Sequence, residues 1–237
     1  MNYKDLLQMY ESLKTEYGAN TYKHISDLLQ KAKIIHKRDW EKSPTPNKDH
    51  EQSWRAFKGK NLEKLILHII KDQVESLNLK VVAGNTLERK RSENLSKELN
   101  RVKRNLLIHF GEFGSHLPDV DLIIYNPKDC QIIAVISSKV TLRERIAQTG
   151  YWKIKLSQDE VTKHIKVFFI TLDEDGTLTT RYPAKKGRAI VEVDTNGSYV
   201  MSQAKLEESD KVKKFERFID DLKCLLNYDV KNSSEPP

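Results

Sequence analysis

Apolar positions along the chain change period several times, and each change marks an element. Leu6, Leu7, Tyr10 and Leu13, then Ile25, Leu28, Leu29 and Ala32, recur at i, i+3, i+4 spacing, which predicts two helices over residues 3–35. From His36 to Glu51 the segment is polar, aperiodic and holds two prolines, the pattern of a loop or linker. Leu62, Leu65, Ile66, Ile69 and Ile70 give a broad apolar face to a helix over 53–76, with His68 read as a satisfied core histidine. Leu79 to Gly84 reads as a strand, and Asn85 opens a basic helix that runs on towards Arg104. Two apolar runs, Val120 to Tyr125 and Gln131 to Ser138, flank the turn Asn126-Pro127-Lys128-Asp129 and predict a hairpin.

Thr141 and Glu144 have capping-box spacing and begin a helix through about Leu156, after which Lys166 to Leu172 forms another strand. Arg188 to Val193 and Ser198 to Met201, joined by Asp194-Thr195-Asn196-Gly197, read as a second hairpin. Val212, Phe215, Ile219, Leu222 and Leu226 predict a closing helix, followed by a disordered tail at 231–237. The order helix, three strands, helix, strand describes an α/β (α+β) domain over 53–230, preceded by a helical region and linker over 1–52.

Composition narrows the setting. With 38% apolar and 32% charged residues the chain can bury an ordinary core, and no apolar run is long enough to span a membrane or serve as a secretion signal. Two cysteines, Cys130 and Cys224, support neither a disulfide framework nor a zinc site, and a reducing cytoplasm is the expected compartment. No phosphate-binding GxxxxGK[ST] loop occurs, so no nucleotide cofactor is expected. The net charge of +7 favours a polyanionic partner only weakly, but its distribution is uneven. Arg89, Lys90, Arg91, Arg101, Lys103 and Arg104 crowd one segment, either as a solvated helix face or as a surface that tracks DNA phosphates.

The chemistry gathers where the hairpin strands begin and end. Strand alternation puts Asp119 and Asp121 on one face and Ser137 and Lys139 on one face of the partner strand, so a carboxylate and an ammonium converge if the faces coincide. Metal-assisted phosphodiester hydrolysis needs a cation held by oxygen ligands and a group that places or deprotonates water. Asp119 or Asp121 with the backbone carbonyl of Ser138 suits Mg²⁺, and Lys139 suits the water.

Pro118-Asp119 before one apolar strand, a second strand ending in Ser137-Ser138-Lys139, and flanking helices together resemble the PD-(D/E)XK nuclease superfamily. The resemblance implies a mixed β-sheet flanked by helices and an αβββαβ core over 55–172. It favours Asp119 as the ligand, and it shows a departure, because Ser137 fills a slot usually held by an acid. Restriction enzymes resembling this chain can carry a small residue there and recruit a glutamate from elsewhere. Glu63, on the edge of the helix beside Ile66, Leu67 and Ile70, is the substitute; it could equally pair at the surface with Lys60 or Lys64.

After Lys139 comes Arg143-Glu144-Arg145. Arginine forks match guanine O6 and N7, and a carboxylate accepts from cytosine N4, so the triplet can read adjacent G and C edges if it opens a helix. It resembles a triplet in restriction enzymes that read CCGG-like palindromes, although Glu144 also stands where a cap partner for Thr141 would. The expectation is a Mg²⁺-dependent type II restriction endonuclease, acting on double-stranded DNA as a homodimer and leaving 5′-phosphates. A structure-selective repair nuclease and a non-catalytic DNA-binding protein on the same fold remain the alternatives.

Overall fold

The computed structural model describes residues 1–44, 49–142 and 145–232, the side chains of Arg145 and of residues 227–232 excepted. Two helices, α1 (Tyr3–Tyr17) and α2 (Ile25–Lys42), are joined by a 3₁₀ segment, and α3 (His50–Glu75) follows. Asn2 and Asp5 form a reciprocal capping box on α1, and the Asp49 carboxylate caps α3 by accepting from the Gln52 N–H at 2.7 Å. α3 buries Leu62, Leu65, Ile66 and Ile70 completely, each contributing about 1.5–3 kcal/mol by leaving water.

Then come β1 (Lys80–Ala83), α4 (Gly84–Arg89), α5 (Lys97–Asn105), a small hairpin of β2 (Ile108–His109) and β3 (Ser115–His116), β4 (Leu122–Tyr125), β5 (Ile132–Lys139), α6 (Arg145–Ser157) and β6 (Lys166–Thr171). The chain finishes with α7 (Lys186–Asp194), β7 (Gly197–Val200), β8 (Val212–Lys214) and α8 (Phe218–Asn232). Six strands form one mixed sheet in the order β1-β4-β5-β6-β7-β8. β4 runs antiparallel to both of its neighbours, β1 and β5, while β5 through β8 run parallel. Helices cover both faces, as a sheet buried on both sides requires. On one face Ile124, Ala134, Ile136 and Ile170 join Leu6, Ile25 and Ile66 in a single cluster, so α1 and α2 share the core of the sheet. On the other face Ile123, Val135 and Val167 pack with Val102 of α5 and Leu156 of α6.

Five expectations change. α2 runs on to Lys42 and α3 starts at His50, which shortens the expected linker from both ends. The reason is a ring cluster: His36 lies 3.2 Å from His50 and packs against Trp54 and Phe57, so this polar stretch has an inner face after all. The basic segment is two helices, because Lys90 is extended and Ser96 caps a new start by accepting from the Leu99 N–H at 3.2 Å. Ser and Asn in the gap favour such local bonds over a continuing helix, and the Asn100 amide indeed donates to the Ser92 carbonyl at 2.6 Å.

Thr141 does not start a helix. Leu142 is fully buried and the Val140 carbonyl accepts from the Glu174 N–H at 3.2 Å, so residues 140–142 are anchored outside any helix, and α6 is described from Arg145. Arg188 to Val193 belongs to helix α7, so the second hairpin is instead a helical crossover between parallel strands. Its β-branched residues favour a strand, but Arg188, Val191 and Thr195 are buried at helical spacing while Val193 is 75% exposed. Val212, finally, lies in β8 and not in the closing helix.

Candidate active site

The site forms where β4 begins and β5 ends. Leu122 pairs with Ile136, and the Asp121 N–H donates to the Ile136 carbonyl at 3.0 Å, which sets Asp121 beside the last residues of β5. Its backbone is held from the other side too, since the Gly84 N–H donates to the Asp121 carbonyl at 2.8 Å. Only glycine permits that approach: a Cβ on residue 84 would meet the Val120 carbonyl oxygen at 1.9 Å. Asp121 is thus clamped between β1/α4 and β5.

One Asp121 carboxylate oxygen accepts from the Lys139 ammonium at 2.8 Å and from the Ser138 N–H at 2.6 Å. Both side chains are largely shielded, Lys139 at 22% and Asp121 at 11% exposure. Glu63 of α3 joins them within hydrogen-bonding reach of Asp121, and burial together with the Asp121 charge pushes its carboxyl up to about 7, against the opposing pull of Lys139. Two acids and one ammonium therefore share a half-buried site with an excess of carboxylate.

Asp119 is more exposed and accepts from the Gln148 amide of α6 at 2.9 Å. Ser137 is buried, and its hydroxyl accepts from Thr149 of the same helix at 3.1 Å. The slot expected to hold an acid thus ties β5 to α6. Arg143 and Glu144 lie outside the described residues, as does the side chain of Arg145, whose backbone is the first residue of α6.

The basic residues divide between two places. Arg89 lines a cleft of about 380 Å³ together with Glu63, Ser138 and Lys139. Arg101, Lys103 and Arg104 line another, of about 560 Å³, with Lys97 and Asn100 on α5. α5 is anchored towards the opposite strand ends, through Glu98 to Lys80 and Tyr125 and through Asn105 to the Cys130 carbonyl. Lys90 offers its carbonyl to Lys103, and Arg91 is exposed between the helices.

Other singled-out residues take ordinary places, with one correction. His68 is not a core histidine: it is partly exposed and its Nε2 lies 2.8 Å from the Glu11 carboxylate. His116 is exposed and bonded to the Phe113 carbonyl, and Trp152 packs in the core beside an exposed Tyr151. Gly84, Gln148 and Thr149 are not legible as site residues in the sequence. Only the glycine carries a signal, a small residue at a strand-to-helix junction.

An antiparallel hairpin with an acid at its entry and a lysine at its exit, set between a glutamate-bearing helix and a crossover helix, defines the PD-(D/E)XK nuclease fold. The sequence profile of the BsaWI restriction endonuclease type 2 family matches residues 98–221. A putative type II restriction enzyme of Methanocaldococcus jannaschii, MjaVIP, is 36% identical over 213 residues, covering 84% of this chain and 92% of that protein. A probable type II restriction enzyme of Helicobacter pylori, HpyAORF263P, is 45% identical over 128 residues, 54% of this chain and 64% of that one. In fold, the chain is similar to restriction endonuclease AgeI, solved as a DNA complex, with a TM-score of 0.55 at 15% identity over 92% of this chain and 91% of that one. The chain belongs to the type II restriction endonucleases, in the BsaWI family. Among the described residues no helix is long and apolar enough to cross a membrane.

Proposed function

We propose that the protein is a Mg²⁺-dependent endonuclease that hydrolyses double-stranded DNA at a specific, palindromic, G/C-containing site. The contact of Asp121 with Lys139 at 2.8 Å, backed by Glu63, carries this reading. Among the described residues no group of three or more His, Cys, Asp or Glu is arranged to hold a metal, so the cation would draw on two central carboxylates, on Asp119 at the edge of the site, and on backbone and water oxygens. The donor set fits a hard divalent cation, because two carboxylates crowd together beside a single ammonium. Asp121 and Glu63 would hold it, with the Ser138 carbonyl and Asp119 as further oxygens. When bound, the cation polarises the phosphate and lowers the pKa of water.

The chain's own groups do the rest. Lys139 places and orients the attacking water against the phosphate, and Asp121 keeps the ammonium aimed into the cleft. Water adds to phosphorus as the bond to the 3′ oxygen breaks, leaving a 3′-hydroxyl and a 5′-phosphate. Ser137 acts as a strut between β5 and α6, which keeps Lys139 and the start of α6 in fixed relation.

Arg143, Glu144 and Arg145 are assigned to base reading. The triplet ends on the first described residue of α6, and helix starts are where such side chains reach base edges. Duplex DNA as partner is supported by the solved DNA complex of AgeI, and Arg89 is assigned to the backbone near the cut. Lys90, Arg91, Arg101, Lys103 and Arg104 would supply longer-range attraction. A homodimer would present one site to each strand of a palindrome, in the cytoplasm where the free Cys130 and Cys224 stay reduced.

Digestion of mixed-sequence linear DNA with Mg²⁺, with EDTA and with Lys139→Ala tests the proposal. Discrete bands that need both Mg²⁺ and Lys139 are expected. A metal-dependent smear would sink the sequence-specific part, and binding without cleavage under any divalent ion would sink the catalytic part.

A further inference from the structure

The catalytic residues occupy only one end of their cleft. Beyond Glu63, Ser138 and Lys139 it is lined by Arg55, Gly59 and Lys60 of α3 and by Arg89 of α4. Among the described residues neither Lys60 nor Arg89 is engaged in an ion pair, and both are exposed. Arg55 forms no ion pair among the described residues, and it acts on the Glu51 carboxylate a turn away only as the least of that group's influences. The cleft is thus acidic at its floor, where a cation fits, and basic along its outer wall, where an anion fits.

The shape of the wall matches. Residues 56, 59, 60 and 63 share one face of α3, so the face that presents Glu63 continues outward past Ala56 and Gly59, both exposed. Gly59 sits in the interior of a 26-residue helix, where glycine weakens the helix relative to alanine. Folding does not require it, because a Cβ there would meet nothing within 4 Å. From Gly59 to Glu63 the helix rises about 6 Å, while one DNA strand advances about 3.4 Å per phosphate, so this floor spans one or two phosphodiesters.

We infer that the α3–α4 cleft is a subsite for the phosphodiester backbone flanking the scissile phosphate, with Lys60 and Arg89 pairing to its oxygens and Gly59 leaving room for the strand. The inference rests on the nuclease reading and extends it to residues outside the reacting centre. It also gives Gly59 a role that opposes its effect on stability.

The test is equilibrium binding of a short mixed-sequence duplex without divalent ions, over a salt series, by the parent and by Lys60→Ala, Arg89→Ala and Gly59→Leu. Each charge removal should flatten the slope of log K against log salt by about 1, the change expected when one phosphate keeps its counterions. Gly59→Leu should weaken binding while raising the melting midpoint by about 2–4 °C, a pairing of signs that a purely structural glycine would not give. Slopes equal to the parent's, or a Gly59→Leu protein that binds as tightly as the parent, overturn the subsite. If the cations only offset the carboxylates, the slopes stay put and the Mg²⁺ requirement for cleavage shifts instead, which also overturns it. A parent that cuts while the slopes stay unchanged loses the subsite alone. A parent that never cuts, with slopes that do fall, loses hydrolysis and keeps the subsite as a DNA-binding groove.

Discussion

Two clusters of charge in this protein are built in opposite ways. Around Arg188, fully buried in α7, each nitrogen of the guanidinium has a partner: Nε meets Glu192 at 2.8 Å, Nη2 the Glu207 carbonyl at 2.9 Å and Nη1 the Leu178 carbonyl. Glu192 in turn accepts from Ser209 at 2.7 Å, and the Leu178 N–H is held by the buried Asp173 carboxylate at 3.0 Å. At Glu63, Asp121 and Lys139 the balance is left open: two carboxylates share one ammonium, at the mouth of a cleft. A saturated cluster locks a fold, whereas an unbalanced one that faces solvent is prepared for a ligand that completes it.

The contrast can be broken in four places. Lys139→Ala should lower the cleavage rate by about 10²–10⁴-fold while the circular dichroism spectrum stays that of the parent; cleavage that survives would remove Lys139 from the reaction. Arg188→Met should do the reverse, costing about 3–5 kcal/mol in denaturant unfolding because Glu192, the buried Leu178 carbonyl and the Glu207 carbonyl lose their charged donor, with the cutting pattern of the folded fraction unchanged. Gly84→Ala belongs to both worlds. Its Cβ collides with the Val120 carbonyl just ahead of Asp121, so about 1–3 kcal/mol of stability and the cleavage rate should fall together, and separate behaviour would mean that Asp121 is not held by this contact.

The smallest effect is a pH dependence at Asp173. Burial pushes its carboxyl up to about 6 in spite of bonds from the Thr177 and Leu178 N–H groups. A folded-state value above the unfolded one means that the native state binds the extra proton, so stability should decline as pH rises from about 4 to 6, by on the order of 2 kcal/mol, and level off above that. Asp173→Asn, which tolerates the same φ of 51°, should flatten this part of the curve; an unchanged slope would place the titration elsewhere.

Where sequence was informative, local pattern and tertiary demand agreed. The β4–β5 hairpin, the apolar face of α3 and the strand β6 were legible because alternation, turn residues and burial all point one way. Glu63 was legible too, from its place at the edge of an apolar stripe. The failures have the opposite cause. β-branched residues in α7 preferred a strand, yet burying Arg188 and Val191 together required a helix. Thr141 had the spacing of a cap, but the adjacent Leu142 was needed in the core more than the cap was needed by α6. Pairings across long separations, such as Gln148 with Asp119 or Gly84 with Asp121, leave no periodic trace at all.

The helix α3 is one unbroken rod of 26 residues, about 39 Å long, and Glu63 stands at its midpoint. Its first turns are gripped by α2 through His36, Trp54 and Phe57, and its later ones by the sheet. A rod loaded in this way is a lever. Tilting it by about 5° around its C-terminal end carries Glu63 through about 1.6 Å, on the scale of displacement that costs a catalytic site its rate. The N-terminal helices, far from the reacting groups in sequence and without a reacting atom of their own, therefore set the gauge of the active site.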